Sequence, residues 1–321
     1  YLHWDGDVEG DKESDNSFTL DQAEIDFLFD FSPVTAQVDI QYIGNDDDIE
    51  LEQAFATYAM ENGGAVTAGR YASMLGFEAF EPTGLYQYSY AYSLASADSI
   101  IDAALSELGE MDLGIIGELG AADVLGIAIG SWLPGYNDGV KYTAETDTGF
   151  FGISLQDGAV IGSDDRLGGD DFSSWAAEIA AAWTGEEGLT LFIGGAYEEV
   201  DVYGDSADFW VINSYISYET GDVTYGVELN YGEFEDVDHL SALAMANFAY
   251  SEQASVTGRI SYWELGLGDL ADADFLKFTA AHSYAFTDNL ALIAEISYVD
   301  GDLEGASYDE LSGALELLFS F

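Results

Sequence analysis

The stretch VTAQVDIQYIG, residues 34–44, alternates apolar and polar side chains almost without error. Val34, Ala36, Val38, Ile40 and Tyr42 fall on one side, and Thr35, Gln37, Asp39 and Gln41 on the other. Period two is the signature of a strand with one apolar and one polar face. Whether the apolar face meets protein or lipid depends on the rest of the chain.

The pattern recurs. VTYGVELNY puts Val223, Tyr225, Val227, Leu229 and Tyr231 together, opposite Glu228 and Asn230. SWAAEIAAAW and ELSGALELLFSF repeat it, with Glu178 and Glu316 on their polar faces. Short turns such as FSPV, ENGGA and FTDN alternate with long acidic ones such as DGAVIGSDDRLGGDD and DGDLEGASYDE. Strand, tight turn, strand, long loop is the meander of an up-and-down barrel.

Aromatic residues then separate lipid from protein as the neighbour of the apolar face. Trp175, Trp183, Tyr231, Tyr262 and the terminal Phe321 sit at the ends of apolar rows. Trp175 and Trp183 lie about 26 Å apart along a strand, near the height of a membrane barrel's apolar band. Aromatic belts are favoured at membrane interfaces, so the apolar face is expected to meet lipid.

Fifteen strand segments are legible, and YLHWDGDVEG is available as a sixteenth, which an even-numbered bacterial barrel requires. The expected fold is all-β, a sixteen-stranded antiparallel transmembrane barrel with an aqueous lumen. It forms a single domain over residues 1–321. With tight turns in the periplasm, the C-terminus ends there. Residues 76–138 break the rhythm as a long inserted loop. Within it, ADSIIDAALSELGEM has helical spacing and a possible cap at Asp98. Constriction, plug and extracellular cap are three open readings of this loop.

Composition bounds the function. The chain has 321 residues, 6 Lys+Arg against 62 Asp+Glu and a formal net charge of −56. At 48% hydrophobic and 14% aromatic it folds despite that charge. Such charge repels nucleic acid and attracts cations. It fits a marine or halophilic habitat, and it also fits selectivity for cations. No run of about 18 apolar residues suggests a membrane helix, and Tyr1 reads as the start of a mature chain. Cysteine is absent, which removes disulfides and thiolate metal sites.

The segments DNSFTLDQAEIDF, LEQAFATYAMENGGAVTAGRYASMLGFEAFEP, YSYAYS and DGVKYTA follow one another in an order that resembles the β-barrel porins of the porin-2 type. Gln22, Ala23, Glu24, Gln53, Ala54, Arg70, Gly76, Glu78, Glu81, Gly139 and Val140 carry the resemblance, which covers about a quarter of the chain. YSYAYS lacks the arginine of the family pattern, and YNDGV stands where that pattern has a His-Thr pair. The resemblance implies a bacterial outer-membrane pore.

Candidate site residues follow from the polar faces. Asp39, Glu145, Glu178, Glu228, Glu295 and Glu316 are expected to line the pore, with Arg70, Lys141, Arg259 and Lys277 as in-strand cations. Rings of carboxylates favour cations. The loops holding Asp46, Asp47, Asp48, Asp164, Asp165, Asp170 and Asp171 are weak Ca2+ candidates without EF-hand spacing. His3, His239 and His282 stand far apart, so enzymatic chemistry is not expected. No cofactor is expected. The leading reading is a cation-selective outer-membrane porin passing ions and small solutes, embedded in lipid as a homotrimer. SWAAEIAAAWTG and LFIGGAY offer small residues for contact between subunits. The alternative is a structural or adhesive barrel that binds a surface layer or partner through cation-bridged acidic loops.

Overall fold

A computed structural model describes residues 2–4, 14–44, 48–78, 86–94, 130–160, 172–186, 188–202, 205–235, 237–266, 272–303 and 306–321. Two three-residue strands come first, β1 (Leu2–Trp4) and β2 (Ser14–Asn16). Then come β3 (Gln22–Phe31), β4 (Val34–Ile43), β5 (Asp48–Ala59) and β6 (Gly64–Ala72). After the inserted segment the chain continues with β7 (Tyr136–Thr146), β8 (Gly149–Gln156), β9 (Phe172–Glu186), β10 (Leu189–Val202) and β11 (Asp205–Thr220). It ends with β12 (Val223–Phe234), β13 (Val237–Ser251), β14 (Ala254–Gly266), β15 (Asp272–Thr287), β16 (Leu290–Leu303) and β17 (Ala306–Phe319).

Every strand from β3 to β17 pairs antiparallel with the next, so the fifteen long strands form one up-and-down sheet. They coincide with the fifteen segments legible in the sequence. Of the expected sixteenth strand only Leu2–Trp4 is seen, paired with Leu311–Gly313 of β17 and with β2. The described registers run on from β17 to β1 and β2 and do not return to β3, so the sheet is not closed. The helical stretch expected over residues 97–111 lies outside the described residues.

The two faces differ as the alternation requires. The outer face is apolar: Ile212, Ile216, Val227, Leu229, Ile260, Phe278, Ile296, Leu315 and Leu317 are all exposed. A water-exposed apolar surface of this extent would be costly, whereas hydrocarbon accepts it. The inner face carries hydrogen-bonded polar rows. Asn213 donates to Asn230 Oδ1 (2.6 Å), and Asn230 donates to Ser241 Oγ (3.1 Å). Asn247 donates to Thr257 Oγ1 (2.8 Å).

At the long-loop ends the outer aromatics take acidic partners. Trp175 Nε1 donates to Glu199, Tyr197 OH to Asp208, Tyr231 OH to Asp238 and Tyr262 OH to Glu264, at 2.5–3.2 Å. Each ring keeps its body on apolar surface and its polar tip toward carboxylates, as interfacial aromatics do. Trp183 and Phe321 are exposed on the same outer face or its end. The inner face turns apolar toward those same ends, where Phe209, Phe234, Val237, Trp263, Phe275, Val299 and Tyr308 are buried.

Candidate functional site

The site is the inner wall together with the stretch of chain lodged against it. After β6 the chain leaves the sheet and runs across the inner faces of successive strands. Ser73 Oγ and the Met74 amide donate to Glu178 of β9 at 2.6 and 3.1 Å. The Gly76 amide donates to Asn213 Oδ1 of β11 at 3.0 Å. The Phe77 amide donates to Glu228 of β12 at 2.6 Å. Glu78 then forms an ion pair with Arg259 of β14. Amides that would go unpaired outside the ladder are thus satisfied by side-chain oxygens of the wall, two carboxylates and the Asn213 amide.

Residues 86–94 continue this lodgement on β14–β16. The Tyr88 and Ser89 amides donate to Glu295 at 2.7 and 3.2 Å. Arg259 donates a second guanidinium nitrogen to the Ser89 carbonyl at 2.8 Å. Lys277 Nζ donates to the carbonyls of Tyr90 (2.9 Å) and Ser93 (3.0 Å). Tyr92 OH donates to Glu228 at 3.2 Å. Burial first, and then the carboxylates of Glu228 and Glu78, push the Tyr92 phenol well above its usual range, so it remains a neutral donor. Gly130–Leu133 forms a third contact, where the Trp132 ring stacks on His239 at 4.8 Å between centroids.

Wall glycines receive the apolar side chains of this segment. A Cβ on Gly152 would lie 2.3 Å from Met74 Sδ, one on Gly194 2.5 Å from Leu75 Cδ2, and one on Gly226 2.3 Å from the Phe77 ring. These positions need close approach rather than unusual torsion.

The expected site residues fall into groups. Asp39, Glu178, Glu228 and Glu295 are buried on the inner face. Glu178, Glu228 and Glu295 are covered by the lodged segment. Glu316 is half-buried, and Glu145 is exposed near the end of β7. Arg259 and Lys277 are buried together with those carboxylates. Lys141 donates to the Ala72 carbonyl at 3.2 Å and lies over the Tyr71 ring, 4.3 Å from its centroid. Arg70 differs from expectation. Tyr71 beside it is buried against Lys141, whereas Arg70 lies in register with Ala54 and Asp138 and gives Nε to the Glu52 carbonyl at 3.2 Å. Two adjacent residues of a strand face opposite ways, so Arg70 stands apart from the other three cations.

Asp46, Asp47, Asp164, Asp165, Asp170 and Asp171 lie outside the described residues, and Asp48 is known only as the backbone start of β5. Among the described histidines, His239 is fully buried under Trp132, and His282 meets Tyr250 OH at 2.6 Å on the outer face. The contacts the sequence reading missed are those of residues 73–77, of which 73–75 read as the tail of a strand and 76–77 as the start of the long loop, and those of the receiving glycines. Their one signal was glycine on a strand's polar face, as at Gly226.

Neither a family model nor a curated protein matches the sequence. Solved structures do. OmpT of Vibrio cholerae with loop L8 deleted superposes with a TM-score of 0.60 at 15% identity, over 98% of this chain and 95% of that one. Salmonella typhi OmpF in complex with daunomycin gives 0.58 at 13% identity, over 99% and 95%. A porin structure gives 0.52 at 14% identity, over 100% and 97%. A continuous antiparallel meander of this length, apolar outside and polar within, agrees with them. The chain has the fold of an outer-membrane β-barrel of the porin type.

Proposed function

We propose that this chain is a bacterial outer-membrane porin. It forms a water-filled, cation-selective channel for passive diffusion of ions and small solutes. The observation that carries the reading is the inner face: a polar, charge-bearing wall behind an apolar outer face, in a sheet of porin type. In this reading β1 and the residues around it complete a sixteenth strand beside β17, and the C-terminus lies in the periplasm. Residues 73–94 and 130–133 narrow the lumen from within. Their contacts with β9–β16 favour constriction over an extracellular cap.

Cation selectivity follows from charge. The net charge is −56, and Glu178, Glu228 and Glu295 stand in the wall against Lys141, Arg259 and Lys277. Low-dielectric walls focus the resulting field along the pore. A homotrimer is proposed with them, supported by the trimer form of Vibrio cholerae OmpT. The chemistry is diffusion, without catalysis.

Single-channel recording in planar bilayers tests the function. Steps of open-channel current with a cation-selective reversal potential are expected. A folded protein that inserts but passes no current would replace this reading with the adhesive barrel.

A further inference from the structure

The two-residue turn at Ser32–Pro33 fixes the register of β3 on β4, and that register sets Asp26 directly opposite Asp39. Glu24 lies two residues further along β3, on the same face as Asp26. One carboxylate oxygen from each of Glu24, Asp26 and Asp39 lies within 4.8 Å of the others. Glu52 adds a fourth acid. It occupies the register shift where Asp39 pairs with Gln53 and Ile40 with Leu51, and it is buried.

Like charges placed opposite each other weaken a ladder. Among the described residues no ion pair relieves these four acids, and the bond that Arg70 gives to Glu52 goes from Nε to the backbone carbonyl, not to the carboxylate. Asp39 adds an independent observation. Its side chain is 1% exposed, and Oδ2 accepts from Gln37 Nε2 (2.7 Å) and Gln53 Nε2 (2.9 Å). Oδ1 is equally buried and has no partner. Both glutamine donors are taken by one oxygen, and the other is left without a donor in a side chain that reaches Asp26 and Glu24. A buried carboxylate oxygen without a donor calls for a ligand.

We propose that Glu24, Asp26 and Asp39 form a divalent-cation site, suited to Ca2+, on the inner face of β3 and β4. The ligand set selects the ion. Three carboxylates from two strands, with water in the remaining positions, form the flexible all-oxygen shell that Ca2+ accepts, whereas Mg2+ demands near-ideal octahedral geometry and dehydrates reluctantly. Asp26 is exposed, so water completes the shell and the ion enters from the lumen. A bound ion ties β3, the first strand of the long ladder, to β4, and stabilises the edge where the sheet begins.

The test uses the full chain, refolded in detergent, stripped with EDTA and titrated calorimetrically with CaCl2 in KCl buffer. Other acidic loops also attract Ca2+, so the readout is the difference between wild type and variants. Wild type is expected to show one more equivalent than the Glu24→Gln/Asp26→Asn double variant. The affinity of that equivalent is expected on the order of 10⁻⁴–10⁻³ M. Asp39→Asn should lose the same equivalent. The double variant alters only β3, which keeps the test open if Asn at the buried position prevents folding. CaCl2 should also raise the melting temperature of wild type more than MgCl2 does. An unchanged titration in the double variant, or equal stabilisation by Mg2+ or by K+ at matched ionic strength, overturns the proposal. Binding is read without a membrane, so its outcome is separate from that of the conductance test.

Discussion

Arg259 of β14 and Glu78 form an ion pair across 181 residues of sequence, with the arginine side chain fully buried. The same guanidinium holds the Ser89 carbonyl at 2.8 Å, so one wall residue fixes two parts of the lodged segment. Removing one partner of a buried pair leaves an uncompensated charge and costs about 3–5 kcal/mol. Arg259→Met is therefore expected to lower unfolding stability by that amount. It should also expose Tyr88, Tyr90 and Tyr92 to chymotrypsin. Arg259→Met/Glu78→Gln should recover part of the loss. Denaturant titration with parallel proteolysis checks both, and a single variant as stable and as resistant as wild type would refute the latch.

Phe77 against Gly226 gives a second expectation. Phe77→Ala removes a ring packed on Tyr215 (5.4 Å between centroids) and on the wall, a truncation that costs about 3–5 kcal/mol where the ring is well buried. Gly226→Ala puts a methyl 2.3 Å from the Phe77 ring and should cost about 1–3 kcal/mol through overpacking. The pair Phe77→Ala/Gly226→Ala should be less harmful than the sum, because the new methyl fills part of the vacated space. A double-mutant cycle on thermal unfolding measures the coupling, and strict additivity would refute the contact.

Period two and turn length made the fifteen strands legible, since a one-residue slip would reverse the faces of VTYGVELNY. Turn geometry could also have placed Asp26 opposite Asp39, because a two-residue turn after Phe31 pairs it with Val34 and sets every later pair. The lodgement of residues 73–94 was not legible. Glu178, Glu228 and Glu295 looked alike as polar-face acids, and only tertiary structure shows that each binds backbone amides of a distant segment. The apolar inner face around Trp263 and Phe275 was hidden for another reason. There Glu264, Asp272 and Asp274 stand exposed on the outer face while Trp263, Leu265, Ala273 and Phe275 are buried. The alternation is kept with its polarity reversed, and period two alone does not tell which face is inside.

The outer face yields a direct comparison. Val227 is 54% exposed and Leu315 73% exposed, both on the face assigned to lipid. Arginine at either, near mid-height, should cost about 2–4 kcal/mol of folding free energy in bilayers. Glu145→Lys, at an exposed inner-face position near a strand end, should cost well under that. Asn230 is not a tolerant control despite its inner position, because it links Asn213 to Ser241. Folding titrations into lipid vesicles give the values, and equal cost at Val227 and Glu145 would show the faces reversed.

The last expectation separates charge from scaffold at Glu228. Its Oε1 accepts the Phe77 amide at 2.6 Å and Asn213 Nδ2 at 2.8 Å, and its Oε2 faces Tyr92 OH at 3.2 Å. Glu228→Gln keeps an oxygen for the first two and offers an amide to the phenol oxygen, so the segment stays lodged and only the charge leaves. Glu228→Ala removes charge and acceptor together. Wild type is expected to prefer cations, and to do so less as salt rises, because the Debye length falls from about 10 Å at 0.1 M to about 3 Å at 1 M. Glu228→Gln should reduce that preference with conductance nearly unchanged. Glu228→Ala should change both. Reversal potentials under a potassium chloride gradient, with single-channel conductance recorded on the same membranes, distinguish the two variants. A glutamine variant with the wild-type reversal potential at 0.1 M would show that the buried wall carboxylates hold the segment without setting selectivity, which would then rest with exposed acids such as Glu145.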